Sequence, residues 1–360
     1  MVHQYINNGY HIVLDVNSGA IHVVDEVVYD VIPLFEKHSS EEITGLLREK
    51  YSEEEIREAV EEVAQLKKEG SLFTPDTYEA PLIDFKKRPT VVKALCLHIA
   101  HDCNLACRYC FAEEGEYHGR RALMSYETGK AALDFLIANS GSRRNLEVDF
   151  FGGEPLMNFE VVKQLVAYGR EQEKLHDKHF RFTLTTNGVL LNDDIMEFAN
   201  REMDNVVLSI DGRKEVHDHM RPFRKGAGSY DLIVPKFQKF AKSRNQEKYY
   251  VRGTYTHFNT DFSKDVLHLA DLGFKQISVE PVVAEETDDY AIKEEDLPVL
   301  FKEYDDLAAE MVRRNKAGNG FNFFHFMIDL EGGPCVYKRL SGCGSGTEYL
   351  AVKPLSLIHI

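Results

Sequence analysis

Three cysteines lie close together in the segment HDCNLACRYCF, at Cys103, Cys107 and Cys110. Their C-x3-C-x2-C spacing lets three thiolates bind three irons of a [4Fe-4S] cluster and leaves the fourth iron without a protein ligand. Because such clusters usually have four cysteine ligands, the missing ligand predicts an open, chemically active iron. The alternatives are zinc, whose sites normally use two C-x2-C pairs or added histidines, and a redox pair that leaves Cys103 without a role.

Apolar runs rich in β-branched residues alternate with amphipathic helical segments from residue 93 onward. The predicted strands are 94–100, 146–151, 180–186, 205–210, 249–256 and 275–280. The predicted helices between them are 126–138, 159–174, 193–202, 230–242 and 262–272. This alternation predicts a parallel sheet with right-handed crossovers. Six such units are an incomplete version of the eight-unit barrel, so the predicted fold class is α/β, with a partial (β/α)6 barrel over residues 93–320.

Polar and glycine residues follow nearly every predicted strand, and in such folds the site lies at the carboxyl ends of the strands. The cysteine triplet follows the first strand directly. The groups at the ends of the second, third, fourth and sixth strands are Gly152-Gly153-Glu154, Thr186-Asn187-Gly188, Asp211-Gly212 and Glu280-Pro281. Paired glycines let the backbone approach a ligand closely, and a carboxylate accepts hydrogen bonds from an ammonium group. We therefore expect these residues to converge on one rim.

The cysteine triplet, followed about 40 residues later by the glycine-glycine-glutamate motif, resembles the radical S-adenosylmethionine (radical SAM) enzymes. The resemblance implies that S-adenosylmethionine (SAM) binds the open iron through its amino and carboxylate groups. A reduced cluster then donates an electron to SAM, which yields methionine and a 5′-deoxyadenosyl radical that takes a hydrogen atom from the substrate. The cofactor performs the difficult step, and the protein positions it and excludes water and oxygen.

The same resemblance implies roles for the residues around the first two strand ends. Tyr109 and Phe111, which flank the last cysteine of the triplet, lie against the adenine of SAM. Gly152, Gly153 and Glu154 contact the amino group of its methionine moiety. These five residues are therefore predicted to bind the cofactor.

Further cofactor contacts are expected from the later strands. By resemblance, Ser209 bonds the ribose or carboxylate of SAM, Asp211 faces the ribose or the substrate, and Arg221 clamps the carboxylate with two hydrogen bonds. The alternative for Asp211 is a turn in which its side chain bonds only local backbone. Asn187 and Glu280 are cofactor-binding candidates mainly because of their positions.

Residues 1–74 are predicted to form a small separate domain. The segment YHIVLDVNSGAIHVVD predicts two strands joined at Asn17-Ser18-Gly19. Two capping boxes then mark helix starts, at Ser39 with Glu42 and at Ser52 with Glu55. Residues 75–92 contain three prolines among charged residues and are predicted to be a linker.

A hairpin followed by three helices resembles the winged-helix-like element that recognises the leader peptides of ribosomally made, modified peptides. The exposed strand edge of such an element can accept an extended peptide as an added strand. One alternative is a DNA-binding winged helix, which the acidic composition of the segment disfavours. The other alternative is a purely structural cap.

Two further cysteines, Cys335 and Cys343, lie in the segment GGPCVYKRLSGCGSGTEYLAV. A cysteine followed by a glycine-rich turn and an apolar strand resembles the start of a SPASM domain, which holds auxiliary [4Fe-4S] clusters. Two cysteines cannot complete such a cluster, and the ending PLSLIHI breaks the pattern. We therefore expect residues 321–360 to be a truncated SPASM region with Cys335 and Cys343 as partial cluster ligands.

The overall composition excludes several classes of function. A formal charge of −16 disfavours nucleic acid as a partner. There is no apolar run of about 20 residues and no secretory signal, so we expect no membrane span and a cytoplasmic location. Six cysteines, three of them clustered, also suit a reducing compartment. Cys96 is expected in the core, and His217 and His219 are expected at the surface.

Taken together, these features resemble peptide-maturing radical SAM/SPASM enzymes and are similar to the maturases of SCIFF peptides, which form thioether cross-links. The resemblance implies a precursor peptide whose leader binds residues 1–74, and a low-potential electron donor such as ferredoxin or flavodoxin. One alternative is an anaerobic sulfatase-maturing enzyme that forms formylglycine. The other is a non-catalytic, cysteine-rich peptide-binding protein that holds zinc.

Overall fold

The computed structural model describes residues 1–76, 90–113, 115–117, 119–327, 344–355 and 358–359. The described residues fall into two compact units, one within residues 1–76 and one formed by residues 90–327 with the segment from 344 onward. The predicted linker lies largely outside the described residues, and Cys335 and Cys343 lie wholly outside them.

The first unit begins with an antiparallel sheet of three strands, in the order β1 (Val2–Asn7), β2 (Tyr10–Asp15) and β3 (Ile21–Val24). The two predicted strands, β2 and β3, are present and pair antiparallel, but the sequence analysis missed β1. A two-residue turn at Asn8 and Gly9, with φ of +48° and +79°, connects β1 to β2. Asn-Gly is a strong hairpin signal, and it marks the strand that was missed.

Three helices follow this sheet: α1 (Glu26–Phe35), α2 (Ser40–Leu47) and α3 (Glu53–Lys68). Both predicted capping boxes are present, at the starts of α2 and α3. Helix α1 packs on β2 and the three helices pack on one another, and the core consists of Val13, Val28, Val31, Ile32, Ile43, Ile56, Ala59, Val63 and Leu72. This unit therefore has a small hydrophobic core of its own.

The second unit is built on a ten-stranded sheet. Its strands are β4 (Ala94–His101), β5 (Ala122–Leu123), β6 (Asn145–Gly152), β7 (His179–Thr186), β8 (Asn205–Ser209), β9 (Tyr249–Tyr255), β10 (Gln276–Pro281), β11 (Asn322–Phe323), β12 (Tyr349–Val352) and β13 (Ile358–His359). The spatial order is β11-β10-β9-β8-β7-β6-β4-β12-β13, with β5 beside β4. Only β5 and β13 pair antiparallel, so the sheet is mostly parallel, as predicted.

Helices connect the strands of this sheet. They are α4 (Tyr126–Asn139), α5 (Phe159–His176), α6 (Asp193–Glu202), α7 (Lys214–Met220), α8 (Tyr230–Ser243), α9 (Ser263–Asp271) and α10 (Leu297–Lys316). All six predicted strands and all five predicted helices occur at their expected places. Among the described helices, none combines the length and the apolar composition needed to cross a membrane.

The two faces of the parallel sheet differ in chemistry, because successive side chains of a strand point to opposite faces. One face packs on the helices through the buried residues Leu95, Leu97, Val148, Phe150, Phe182, Leu184, Val206, Leu208, Val251, Ile277 and Val279. The alternate positions on the same strands carry Cys96, His98, Asp149, Thr183, Ser209, Arg252, Ser278 and Glu280. The second face is therefore polar, and it faces the site.

Candidate functional site

A cavity of about 420 Å³ lies at the carboxyl ends of β4 and of β6 to β10. Its wall contains every predicted site residue that the structure describes, except Asp211: Cys103, Cys107, Tyr109, Cys110, Phe111, Gly152, Gly153, Glu154, Asn187, Ser209, Arg221 and Glu280. The sheet thus brings the polar ends of six strands to one place. A site at the rim of the strands is the arrangement that the sequence predicted.

The cysteine loop follows β4 and is held by backbone hydrogen bonds to the segment after α7. The amide of Ala106 donates to the carbonyl of Pro222, and the amide of Arg108 donates to that of Met220, each at 2.9 Å. These bonds fix the loop backbone on both sides of Cys107. The three cysteines therefore lie on a loop whose backbone is held by these hydrogen bonds.

Two N–H groups approach the sulfur of Cys103, from the amide of Leu105 and from the side chain of Asn187, each at 3.5 Å. Burial raises the pKa of the Cys103 thiol to about 12 and that of Cys107 to about 11. Metal binding to these thiols must therefore release protons, because the ligand is the thiolate.

Within the part of the chain that the structure describes, no three histidine, cysteine, aspartate or glutamate side chains converge on a point that one ion can occupy. Zinc needs its sulfur ligands about 2.3 Å away from one centre. An iron–sulfur cluster instead distributes its cysteine ligands over separate irons.

Two buried polar atoms among the described residues have no hydrogen-bond partner: Nδ2 of Asn104 and Nε of Arg221. Arg221 lies in the wall of the cavity, so its unused N–H is close to any bound ligand. A buried guanidinium donor without a partner costs free energy, and a carboxylate is the group it binds best. The cavity therefore suits a ligand that carries a carboxylate, as SAM does.

The paired glycines pack against the protein backbone as well as lining the cavity. A Cβ on Gly152 would lie 2.4 Å from the carbonyl oxygen of Ala100, and one on Gly153 would lie 2.1 Å from that of Asp102. Gly152 also has a φ of +127°. Glycine is therefore required here by the close approach of the β6 turn to the end of β4.

Glu154 is fully buried and accepts three hydrogen bonds. Oε1 accepts from Oγ1 of Thr186 at 2.8 Å and from the amide of Leu156 at 3.0 Å, and Oε2 accepts from the amide of Asn187 at 2.8 Å. Burial raises its pKa to about 7, and these hydrogen bonds oppose the rise. Glu154 thus joins the turn after β6 to the end of β7, where Asn187 reaches Cys103.

Tyr109 connects the cysteine loop to the end of β8. Its hydroxyl lies 2.8 Å from both carboxylate oxygens of Asp211 and accepts from Nη1 of Arg221 at 2.8 Å. Asp211 also accepts from the amide of Thr254 at 3.1 Å. Burial raises the pKa of Asp211 to about 6, and the charge of Arg221 opposes this rise. Asp211 therefore lies outside the cavity and supports its wall through hydrogen bonds to Tyr109 and Thr254.

His217 is fully buried, so the prediction that it lies at the surface is wrong; His219 is exposed, as predicted. The amide of Asp211 donates to Nδ1 of His217 at 3.3 Å, so the ring carries its proton on Nε2, 2.9 Å from Oγ of Ser229. Ser229 in turn donates to the carbonyl of Arg221 at 2.8 Å. Burial lowers the pKa of His217 to about 3, so the ring is neutral.

The remaining predicted residues occupy different parts of the wall. Ser209 is at the end of β8, and Phe111 is 67% exposed, with its ring centre 5.8 Å from that of Tyr117. Glu280, on β10, is bonded to protein side chains described below. The sequence analysis missed Arg252 and Thr254 of β9, although their alternate positions in YYVRGTY place both on one face. Cys96, expected in the core, is half-buried on the polar face.

Residues 97–272 match the family described as the radical SAM superfamily. This part of the chain, which contains the cysteine triplet and the glycine-glycine-glutamate motif, is a radical SAM domain. The predicted resemblance is confirmed at that level, and the superfamily implies a [4Fe-4S] cluster and SAM as cofactors.

Several proteins are similar in sequence to part of this chain. An uncharacterized protein of Methanocaldococcus jannaschii is 31% identical over 189 residues, covering 52% of this chain and 62% of the relative. The radical SAM cyclopropyl synthase TigE of Paramaledivibacter caminithermalis is 23% identical over 184 residues, covering 47% and 38%. A cysteine-type anaerobic sulfatase-maturating enzyme of Clostridium novyi is 28% identical over 137 residues, covering 37% and 36%. The chain thus spans less than two thirds of the length of each relative.

Solved structures show a similar fold. The protein anSMEcpe, with bound AdoMet and Cp18Cys peptide, has a TM-score of 0.58 and 19% identity, covering 73% of this chain and 72% of that chain. SuiB of Streptococcus suis, bound to S-adenosylmethionine, has a TM-score of 0.53 and 16% identity, covering 99% of this chain and 80% of that chain. At these identities the likeness concerns the fold alone.

Proposed function

We propose that this chain is a radical SAM enzyme that cleaves SAM reductively and installs thioether cross-links in a ribosomally made, cysteine-rich peptide. The observation that carries the cofactor part is the single cavity that joins the cysteine triplet, the glycine-glycine-glutamate turn and the unpartnered N–H of Arg221. Most of the cavity wall lies within residues 97–272, which match the radical SAM superfamily.

Different residues of the chain would bind the cluster and SAM. Cys103, Cys107 and Cys110 would hold the [4Fe-4S] cluster, and Arg221 would bind the carboxylate of SAM. When bound, the cluster and SAM together supply a 5′-deoxyadenosyl radical that abstracts hydrogen. Glu154 would fix the turn that meets the amino group, and its three protein hydrogen bonds hold it in place.

The peptide part of the proposal is supported by the relatives and by the first unit. One protein of similar fold is bound to a peptide together with AdoMet, and relatives are named for cyclopropyl synthesis and sulfatase maturation. On β3, an outer strand of the small sheet, Ile21 and Val23 are 37% and 65% exposed. An exposed apolar outer strand can add a leader peptide as a further strand.

The other partners are those that the chemistry requires. A low-potential carrier such as ferredoxin or flavodoxin would supply the electron for SAM cleavage. Auxiliary [4Fe-4S] clusters, for which Cys335 and Cys343 would be the first ligands, would serve the cross-linking step. The formal charge of −16 disfavours nucleic acid as a substrate.

The cofactor proposal is tested by anaerobic reconstitution with iron, sulfide, SAM and a reductant. We expect iron with sulfide-to-iron absorbance and 5′-deoxyadenosine in the wild type, and a loss of at least tenfold in both for Cys107→Ala. Cys96→Ala is the matched control, because it removes a half-buried cysteine outside the triplet. Zinc without colour in the wild type, or unchanged 5′-deoxyadenosine in Cys107→Ala, would contradict the proposal.

Formylglycine formation is the second candidate, favoured by the match to the sulfatase-maturating enzyme of C. novyi. The two products differ in composition. A thioether link removes two hydrogens from the peptide and keeps its sulfur, whereas oxidation of a cysteine to formylglycine replaces sulfur with oxygen. Mass spectrometry of the reacted peptide therefore separates the two candidates.

A further inference from the structure

Glu280 brings a carboxylate into the wall of the cavity from β10. Its Oε1 accepts from Oγ of Ser278 at 2.6 Å, and its Oε2 accepts from Nε2 of His325 at 2.7 Å. Its side chain nevertheless keeps 28% of its surface exposed. Each oxygen of a carboxylate has two acceptor positions, so both can take a further bond.

A chain of hydrogen bonds lies behind Glu280. Because a carboxylate only accepts, His325 donates from Nε2, and its Nδ1 then accepts from the hydroxyl of Tyr304 at 2.9 Å. The Tyr304 oxygen is in turn 3.3 Å from the hydroxyl of Tyr255, which is buried. The tautomer and orientation of His325 are therefore fixed by residues that do not reach the cavity.

The charged groups near Glu280 keep it ionised. The hydrogen bonds from Ser278 and His325 and the charge of Arg252 outweigh the effect of burial and lower its pKa. Tyr304 and Tyr255 are the other titratable groups near it, and burial raises the pKa of both, so they stay neutral. At neutral pH Glu280 is thus ready to accept a proton.

The other two carboxylates at the site, Glu154 and Asp211, are less accessible to a substrate than Glu280. Glu154 accepts from Thr186, Leu156 and Asn187 and is fully buried. Asp211 is outside the cavity wall. Among the described residues of the wall, Glu280 is therefore the one carboxylate with surface left for a substrate.

We propose that Glu280 is the proton acceptor for the substrate in the cross-linking step, and that His325 and Tyr304 are its positioning residues. This inference rests on the proposed function. As the sulfur of a substrate cysteine bonds to the substrate carbon that has lost a hydrogen atom, the S–H bond breaks. Its proton goes to Glu280, and one electron goes to an iron–sulfur acceptor. The thiol becomes more acidic as the sulfur loses electron density, so a carboxylate is a sufficient base.

The test measures two products separately in full-length reconstituted enzyme, with a synthetic cysteine-rich peptide that carries its leader. For Glu280→Gln we expect 5′-deoxyadenosine within twofold of wild type and cross-linked peptide at least tenfold lower. The wild-type rate of cross-linking should fall at acid pH as Glu280 is protonated, and the variant should lack this dependence. Glu286→Gln, which changes an exposed acid outside the cavity wall, is the matched control.

The positioning residues are tested by the pH profile. His325→Gln and Tyr304→Phe weaken the bonds that lower the pKa of Glu280, so the acid limb should move to higher pH with a threefold to tenfold loss of cross-linking. Unchanged cross-linking in Glu280→Gln would overturn the inference alone. An equal loss of 5′-deoxyadenosine would overturn it too, because Glu280 would then act on the cofactor. A wild type without 5′-deoxyadenosine would overturn the proposed function and this inference together.

Discussion

At the scale of single residues, the site is organised by hydrogen bonds between protein groups. Tyr109, Asp211 and Arg221 form one cluster, in which the tyrosine hydroxyl contacts both charged groups. Arg221 and Asp211 are buried, and opposite charges in the interior are tolerated when they are paired and hydrogen-bonded. The candidate cofactor residues are thus held by hydrogen bonds to one another.

His217 provides a pH test of this arrangement. Its pKa is about 3 in the folded protein and about 6.5 when unfolded, so the unfolded state binds more protons below pH 6.5. Stability contributed by the neutral ring is therefore present above pH 6.5 and is lost as the pH falls. Between pH 7 and pH 5 we expect the wild type to lose about 2 kcal/mol more than His217→Gln, which keeps an acceptor and a donor.

The measurement is denaturant unfolding of both proteins at the two pH values. Glutamine places an amide oxygen toward Asp211 and an amide nitrogen toward Ser229, so the variant is matched in its hydrogen bonds. Free energies of unfolding that change in parallel for the two proteins would contradict a neutral, buried His217.

At the scale of elements, the turn after β8 is held by α9. Asp265 is fully buried on α9 and accepts from the amide and the side chain of Arg213, at 2.9 and 2.8 Å. It also accepts from Asn259 at 3.0 Å. A Cβ on Gly212 would lie 2.3 Å from the Cβ of Asp265, so the turn packs directly on this side chain.

We expect Asp265→Ala to lower the free energy of unfolding by about 1–3 kcal/mol, because it leaves the side-chain amide of Asn259 without its acceptor and removes one of the two carboxylates that bind Arg213. Asp271→Ala is the matched control on the same helix. Asp271 is 65% exposed and pairs with Arg314, so its loss should cost less than about 1 kcal/mol. Equal effects of the two substitutions in denaturant unfolding would show that the turn does not depend on Asp265.

The limits of sequence reasoning are also clear at the level of elements. The alternation of apolar residues placed all six predicted strands, because every second residue of these strands packs on the helices. The same reasoning missed α7 and α10, and it placed His217 of α7 at the surface. KEVHDHM is a polar segment, and His217 is buried because Ser229 and the end of β8 enclose it. Such contacts between distant residues leave no local signal.

At the site, too, some features could be predicted from the sequence and others could not. The residue types at the strand ends identified most of the cavity wall, since parallel strands bring their carboxyl ends to one edge. The bonding of Glu280 to His325, 45 residues later, was not predictable, because the two meet only through the pairing of β10 and β11. Most of the predicted site residues thus share one cavity, but the hydrogen bonds among them could not be predicted.

At the scale of the whole molecule, the two units have separate cores and are expected to have separate functions. The first is expected to bind the leader peptide and the second to cleave SAM. We expect Val23→Asp, on the outer strand β3, to weaken binding of a fluorescent leader peptide at least tenfold, because a charge opposes burial of the added strand. Formation of 5′-deoxyadenosine without peptide should not change. Val299→Asp is the matched control, since Val299 is exposed on α10 in the other unit. Unaltered leader affinity in Val23→Asp would favour a purely structural first unit.

The ladder between the cysteine loop and residues 220–223 carries a consequence for assembly. The strand-like segment that aligns the prospective metal ligands is the one that presents Arg221. Loss of these backbone hydrogen bonds should therefore lower the iron content and the affinity for SAM together. A single substitution in this segment is expected to impair both.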